Sequence, residues 1–457
     1  MTKILKSKYI LKVKTEDGYF VIFNSLTKKL IKTQIVNKNL LLDSLAGCSK
    51  NNQLNQYLIE NGFIVDDNEK ETKEAENIYQ EVCLSQKVLN VIILPTYNCN
   101  FRCSYCYESF PNVVMSESTQ NDVFEYVKKL LIDYESLNIS WFGGEPLLEL
   151  ETIIRLSERF RALCKREGKT YLGDITTNGY LLTVDTFKKL LKCNIRTYQI
   201  TIDGLQSTHD KYRHLVNGGG TYNTIMKNLI NIRDNIKSTM FQIVLRTNMT
   251  KKLSDTLNEH LASIDKEFLH DFRFKHVCRI ASAYNNEYVK NDLLNTENIT
   301  SFSFNNLSEN LINESNKKYF ISSFKDFILG KASVCYAGKT SSIVIDPLGK
   351  LMKCTVCLDD EKNVVGDIYS GIQNDKLKQW IERPVNSEVV RLCSDCPIYP
   401  ICLNVSCPYE YFSAFDRKKI YCCSKIRDVI LYIQTLSYDE AMCENIACYF
   451  TYNNKET

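Results

Sequence analysis

The sequence predicts an α/β protein in three parts: a winged-helix-like module with its linker over residues 1–85, a partial (β/α)6 barrel over 86–310, and a cysteine-rich domain with a C-terminal helix over 311–457. Three observations predict this arrangement. Six short apolar runs alternate with five helical patterns through the middle of the chain, as in a parallel sheet built from strand–helix units. Eleven of the nineteen cysteines lie between Cys335 and Cys448. Strand-like runs followed by helix-like ones precede both regions and close on Gly62-Phe63-Ile64-Val65.

In the first part, Tyr9–Val13, Tyr19–Asn24 and Lys29–Ile35 read as strands, and Asn39–Ala46 and Asn52–Asn61 as helices. The charged stretch Asp66 to Glu81 reads as a solvated connecting helix. In the second part the strands are Val91–Leu94, Ile139–Phe142, Leu172–Thr176, Thr197–Ile202, Phe241–Arg246 and Phe272–Val277. Between them run helical patterns over Ser118–Asp133, Glu151–Arg166, Val184–Lys192, Thr221–Asn235 and Lys252–Lys266. The third part holds short strands at Ser342–Ile345 and Lys350–Lys353 and a helix over Lys425–Ser437.

A chain of 457 residues supports two or three domains. No apolar run approaches the roughly eighteen residues of a membrane span, and the N-terminus lacks the apolar core of a secretory signal, so a cytoplasmic location is expected. The net charge of +3 is spread over interleaved charges, which predicts neither a nucleic-acid nor a membrane partner. In a reducing compartment, clustered cysteines read as metal ligands rather than disulfides.

The most informative run is Cys99-Asn100-Phe101-Arg102-Cys103-Ser104-Tyr105-Cys106, directly after the first barrel strand. Three thiolates in one short loop suit an iron–sulfur cubane, and they leave one iron open for substrate chemistry. Zinc usually takes two cysteine pairs set apart, and plain reduced cysteines are the bland alternative. Other strand ends carry Gly143-Gly144-Glu145-Pro146, Thr176-Thr177-Asn178-Gly179, Thr201-Ile202-Asp203-Gly204, and Arg246-Thr247-Asn248. Glycines permit close approach of a ligand to the backbone, Glu145 can accept from an ammonium, and Arg246 can fork onto a carboxylate. Each of these loops also suits ordinary capping and turn chemistry.

With these motifs, residues from about 90 to 280 resemble the radical S-adenosylmethionine (SAM) superfamily. The resemblance implies a 4Fe–4S cluster on Cys99, Cys103 and Cys106, with SAM on its open iron. It places Tyr105 at the adenine and Gly143, Gly144 and Glu145 at the methionyl amino group. Thr201 and Arg213 match SAM-contacting positions of sulfatase-maturing relatives, although Ser is usual where Thr201 stands. A 5′-deoxyadenosyl radical would then abstract a hydrogen from the substrate, the cofactor carrying the chemistry.

The second cysteine field resembles the SPASM extension, which carries two auxiliary 4Fe–4S clusters and would bring the total to three. Its spacing is Cys335, Gly349, Cys354, then Cys393, Cys396, Cys402, Cys407, then Cys422 and Cys423. By the resemblance, Cys335, Cys354 and Cys407 hold the first auxiliary cluster, whose fourth position is Cys357 or open. Cys393, Cys396, Cys402 and Cys422 or Cys423 hold the second. The gap from Cys402 to Cys407 is one residue longer than the pattern, and a zinc ribbon is the rival for Cys393 and Cys396. Cys48, Cys83, Cys164, Cys193 and Cys278 read as small buried hydrophobes.

The first part resembles the leader-binding module of ribosomal-peptide maturases, which docks an extended leader as an added strand. The expected function is therefore a SAM-dependent radical enzyme that installs a thioether, a carbon–carbon cross-link or a related change in a precursor peptide. Its reductant would be a flavodoxin or ferredoxin-type protein. The alternatives are an anaerobic sulfatase-maturing (formylglycine-generating) enzyme and a non-enzymatic iron–sulfur electron-transfer protein. The maturase alternative calls for Asp after Cys354, where Thr355 stands; Asp359 and Asp360 are the nearest acids, and Asp359 and Tyr336 are candidate proton acceptors.

Overall fold

The computed structural model describes residues 5–15, 18–249, 253, 256–280, 334–381, 396–403, 408–409, 429–430 and 433. The chain forms two compact units: Ser85–Ser301 with Lys339–Trp380, and Met1–Leu84 with Phe302–Gly338 and Ile381–Thr457. These do not follow the consecutive boundaries 1–85, 86–310 and 311–457 expected from the sequence.

In the first of these units, β1 (Val88–Ile93), β2 (Ser136–Trp141), β3 (Thr170–Thr177), β4 (Ile195–Thr201), β5 (Gln242–Met249) and β6 (Phe274–Ile280) lie side by side in chain order. All five contacts between them are parallel. Sequential order in one direction is the winding of a (β/α) barrel; a doubly wound sheet would reverse partway. The strands alternate. Leu137, Ile139 and Trp141 are buried, while Asn138 and Ser140 are half-buried and bond Asp174 of β3 (3.1 and 2.7 Å).

The helices lie close to expectation. Val184–Lys192 starts on Thr183, whose side chain accepts from the Thr186 N–H, and Glu117–Leu130 starts on Ser116 in the same way. The last of them begins later than expected, at Leu257, and runs to Phe268. The strands are offset from the apolar runs by one to three residues: β1, β2 and β4 begin two or three residues earlier and stop one short, whereas β5 and β6 begin one or two later and run three further.

The barrel sheet continues past β1. Strand β7 (Ser342–Ile345) pairs with β1 in parallel, and β8 (Lys350–Met352), β9 (Val364–Asp367) and β10 (Gly371–Ile372) follow antiparallel. The sequence reading assigned this segment to a separate cysteine-rich domain. All four residues of Ser342–Ile345 are buried, and a strand apolar on both faces belongs inside a sheet; the open edge of β1 provides the place.

In the other unit, Ile10–Lys14, Tyr19–Asn24 and Lys29–Gln34 form a three-stranded antiparallel sheet. Helices Lys38–Leu45 and Asn52–Glu60 follow, and Leu5–Lys6 pairs with Ile64–Val65. Both faces of this sheet are covered. Ile10, Phe20, Ile22 and Ile31 pack on Leu41, Leu45, Leu54, Leu58 and Phe63. Leu11, Val13, Val21, Phe23 and Leu30 pack on Ile398, Ile401, Val429 and Ile433, with Cys396 and Cys402 at the edge of the cluster. The Ser25 hydroxyl donates to the Pro397 carbonyl (2.5 Å), and Tyr9 stacks on Tyr399. The connecting helix, Asn68–Cys83, is not wholly solvated: Glu71, Ala75 and Cys83 are buried, with Glu71 bonded to Ser7 (2.5 Å). Of the expected helix Lys425–Ser437, only Val429, Ile430 and Ile433 fall within the described residues.

Candidate active site

The three thiols of the Cys99–Cys106 run sit at the carboxyl end of β1, and none is in a disulfide. The loop is tied on several sides. Phe101–Cys103 forms a short strand antiparallel to Arg213–Leu215, which sets Cys103 opposite Arg213. The Ser104 N–H donates to the Tyr212 carbonyl (2.9 Å) and the Cys106 N–H to the Cys103 carbonyl (3.0 Å). The Asn178 amide, at the end of β3, donates to Asn100 (2.7 Å). The Phe101 N–H points at the Cys99 Sγ (3.4 Å). Burial pushes the Cys99 thiol up to about 12 and raises Cys103 and Cys106 as well, with Arg213 opposing the shift at Cys103. Thiolates here would need strong positive charge beside them, which is what iron ligation supplies.

Gly143 and Gly144 serve the chain itself. A Cβ on Gly143, at φ +118°, would fall 2.4 Å from the Thr96 carbonyl oxygen; one on Gly144 would fall 2.3 Å from that of Asn98 and 2.5 Å from that of Tyr97. The group on the Cβ side of both glycines is the segment leading into Cys99. Glu145 is a brace within the same loop region. Its carboxylate is fully buried and accepts from the Asn178 N–H (2.7 Å), the Thr177 hydroxyl (2.7 Å) and the Leu147 N–H (2.9 Å). It joins the ends of β2 and β3 with three of its acceptor positions. Burial raises its pKa and those three hydrogen bonds oppose the rise.

A polar knot lies beside Cys103. The Tyr105 hydroxyl donates to Asp203 and accepts from Arg213 (2.6 Å). Asp203 also accepts from the Asn248 N–H (2.7 Å) and lies 4.0 Å from the Arg213 guanidinium. Asp203 and Arg213 are both buried. His209 supports the Asp203 backbone (3.2 Å) and is held neutral, its pKa driven down to about 2 by burial. Arg246 bonds Asn248 (2.9 Å), so its guanidinium is turned to a neighbour on its own strand. Thr201 stands half-buried at the last position of β4. In the sequence Asp203 stands out only as part of the strand end Thr201-Ile202-Asp203-Gly204. Its bonds to the ends of β1 and β5 come from residues far off in the chain, and no local spacing signals them.

The donor set fits a cluster. Three thiols outside any disulfide share one loop, and among the described residues the buried Arg213 Nε beside them has no hydrogen-bond partner, leaving a donor for an anionic group. Among the described residues no three His, Cys, Asp or Glu side chains gather around a point suited to one metal ion. A cubane spreads its ligands over several irons and asks for no such convergence.

The second cysteine field is divided. Cys354 and Cys357 are buried in the turn after β8, in the barrel unit, and Thr355 is buried between them. Cys335, Cys396 and Cys402 are half-buried in the other unit, as is Tyr336. Cys393, Cys407, Cys422 and Cys423 lie outside the described residues. Asp359 is exposed and accepts from Ser109 (3.2 Å). Cys83, Cys164, Cys193 and Cys278 are buried as expected, whereas Cys48 is exposed.

Comparison with known proteins agrees with this geometry. The Radical SAM superfamily profile matches residues 93–259, and the chain carries a radical SAM domain. It is 26% identical over 352 residues to the cysteine-type anaerobic sulfatase-maturating enzyme of Clostridium novyi (strain NT), covering 69% of this chain and 87% of that one. It is 23% identical over 282 residues to the radical SAM cyclopropyl synthase TigE of Paramaledivibacter caminithermalis, covering 53% of this chain and 57% of that one. The chain therefore spans little more than half the length of the synthase. The structure of native anSMEcpe with bound AdoMet and Kp18Cys peptide superposes with a TM-score of 0.55 over 78% of this chain and 99% of that one, at 19% identity. The likeness establishes the α/β radical SAM fold with its large mixed sheet.

Proposed function

We propose that this chain is a radical SAM maturase of a ribosomally made peptide, with the 4Fe–4S cluster on Cys99, Cys103 and Cys106. The observation that carries the reading is the three-thiol loop at the carboxyl end of β1, clamped by the ends of β2, β3 and β5 and by the Arg213 strand. When bound, the cluster and SAM supply a 5′-deoxyadenosyl radical for hydrogen abstraction. The chain's own groups position and screen. Gly143 and Gly144 seat the loop, Glu145 braces it from beneath, and the Tyr105–Asp203–Arg213 knot holds the Cys103 side rigid while offering the Arg213 Nε–H to a carboxylate or a sulfide. Thr201 borders the same rim.

A peptide substrate is supported by the N-terminal sheet. Among the described residues its two outer strands pair with nothing on their far sides, and such edges accept an extended peptide as a further strand. Two auxiliary clusters, on Cys335, Cys354 and Cys407 and on Cys393, Cys396, Cys402 and Cys422, would carry electrons away from the oxidised product, and a flavodoxin or ferredoxin-type reductant would supply the electron for SAM cleavage. The Clostridium novyi likeness favours a second reading, formylglycine formation on a sulfatase. Thr355 weighs against it, being a buried neutral side chain where that chemistry calls for a base.

Anaerobic incubation with dithionite and SAM tests the core: wild type should release 5′-deoxyadenosine, and Cys103→Ala should not. Turnover by that variant would remove the cluster assignment. Mass spectrometry of a candidate precursor then separates the two readings. Loss of hydrogen with the sulfur retained marks a cross-link, and loss of sulfur with a new aldehyde marks formylglycine.

A further inference from the structure

The turn after β8 holds two cysteines in C-x2-C spacing. Cys354 and Cys357 are both buried and neither is in a disulfide. One side chain fixes the turn. Asn363 is fully buried. Its Oδ1 accepts from the N–H groups of Lys353 (3.0 Å) and Cys354 (2.8 Å). Its Nδ2 donates to the carbonyls of Cys354 (2.7 Å) and Cys357 (3.0 Å). A carboxamide has two donors and two acceptor lone pairs, and here all four are spent on the two cysteines and the residue before them.

The sulfur of Cys354 has a further mark. The N–H of Val356, two residues on, points at it (3.4 Å). The Phe101 N–H addresses the Cys99 sulfur with the same offset and distance. Backbone donors to sulfur favour the thiolate and tune the potential of a cluster held by it. The same local device therefore recurs at two cysteines 255 positions apart, one in the proposed SAM-cluster loop and one in this turn.

We infer that Cys354 and Cys357 together ligate one auxiliary cluster, so that Cys357 fills the corner that the spacing pattern leaves undecided, and that Asn363 is the residue positioning both thiolates. This rests on the radical SAM reading only in requiring that iron–sulfur clusters are built at all. It adds that this corner is closed by the protein, so a substrate thiol does not bind there.

The test uses the full-length protein, reconstituted anaerobically with iron and sulfide. Wild type, Cys357→Ser, Cys357→Ala and Asn363→Asp are compared for iron and acid-labile sulfide per chain, by Mössbauer spectroscopy, and by auxiliary-cluster potential. Cys357→Ser should lose about four irons, one cubane's worth, or show one iron differentiated from its neighbours. Asn363→Asp keeps the shape but loses both N–H donors; it should shift the auxiliary potential and leave that of the SAM-binding cluster unchanged. Full iron with an unaltered Mössbauer spectrum in Cys357→Ser overturns the assignment, as does zinc in place of iron in wild type. If the Ser variant fails to fold, the same measurements on Cys357→Ala and Asn363→Asp decide. The EPR response of the wild-type SAM cluster to added SAM is read separately: its absence defeats the parent proposal, whereas its presence beside an unchanged Cys357→Ser spectrum defeats this inference alone.

Discussion

Gly144→Ala offers the most direct test of how the cysteine loop is held. Its new Cβ would start 2.3 Å from the Asn98 carbonyl oxygen and 2.5 Å from that of Tyr97, where ordinary contact begins at 3.4 Å. Both obstacles are backbone, so no rotamer change relieves them. The segment before Cys99 must withdraw by about 1 Å, which strains the Glu145 N–H bond to Asn98 (2.8 Å) and the Gly144 N–H bond to Thr96 (3.3 Å). Overpacking costs about 1–3 kcal/mol and two weakened hydrogen bonds about 1 kcal/mol each, or roughly 3–5 kcal/mol together. At about 2–4 °C per kcal/mol, melting of the iron-free protein should fall by roughly 6–20 °C. A ligand displaced by about 1 Å should slow SAM cleavage by about 10²-fold. The assay pairs a thermal melt of apo protein with anaerobic release of 5′-deoxyadenosine and iron per chain. Gly168→Ala is the control, since a Cβ there meets nothing within 4 Å, although φ is +67°. Gly144→Ala with wild-type iron content and SAM cleavage within about twofold of wild type would refute the reasoning.

Three further outcomes are expected. Asp203→Asn keeps the shape of the knot but leaves the Arg213 guanidinium buried without its counter-charge, at a cost of about 3–5 kcal/mol in chemical denaturation; a loss below about 1 kcal/mol would contradict the role given to Asp203. Deleting residues 1–70 should do more than remove the proposed peptide-docking edge, because it uncovers Ile398, Ile401, Val429 and Ile433, each losing about 1.5–3 kcal/mol of burial. The truncated chain should aggregate or lose iron, and a monomeric, fully iron-loaded truncation would show that this face stabilises nothing. Lys28, whose ammonium has no hydrogen-bond partner among the described residues, is pushed down from 10.5 to about 8 by burial. Between those values the unfolded chain binds more protons than the folded one, so stability should rise as pH increases through that window. Lys28→Met should remove the rise and stabilise the fold near neutral pH by on the order of 3 kcal/mol. A wild-type melting temperature that shows no such rise relative to the variant between about pH 7.5 and 9.5 sinks the prediction.

Much of this molecule is determined locally. The period-2 and helical patterns between residues 91 and 277 suffice for six strands in barrel order, since a parallel neighbour needs a crossover helix and the chain supplies one each time. The thiol triplet is likewise legible, because three ligands in one loop need no tertiary contact to come together. Other features depend on partners distant in sequence. Phe20 to Phe23 is apolar without alternation, a sign that both faces of its strand are covered, yet nothing nearby indicates that Ile398 and Val429 form the second cover. Nothing in the spacing indicates that Thr177 and Asn178 bond the Glu145 oxygens, or that Tyr105 and Asn248 close on Asp203. Residue types and their spacing decide which groups can do chemistry. Which of them face a ligand, and which are consumed holding the others still, is decided only when strand ends far apart in the chain meet, because a buried polar group takes whatever partner the fold brings within hydrogen-bond reach.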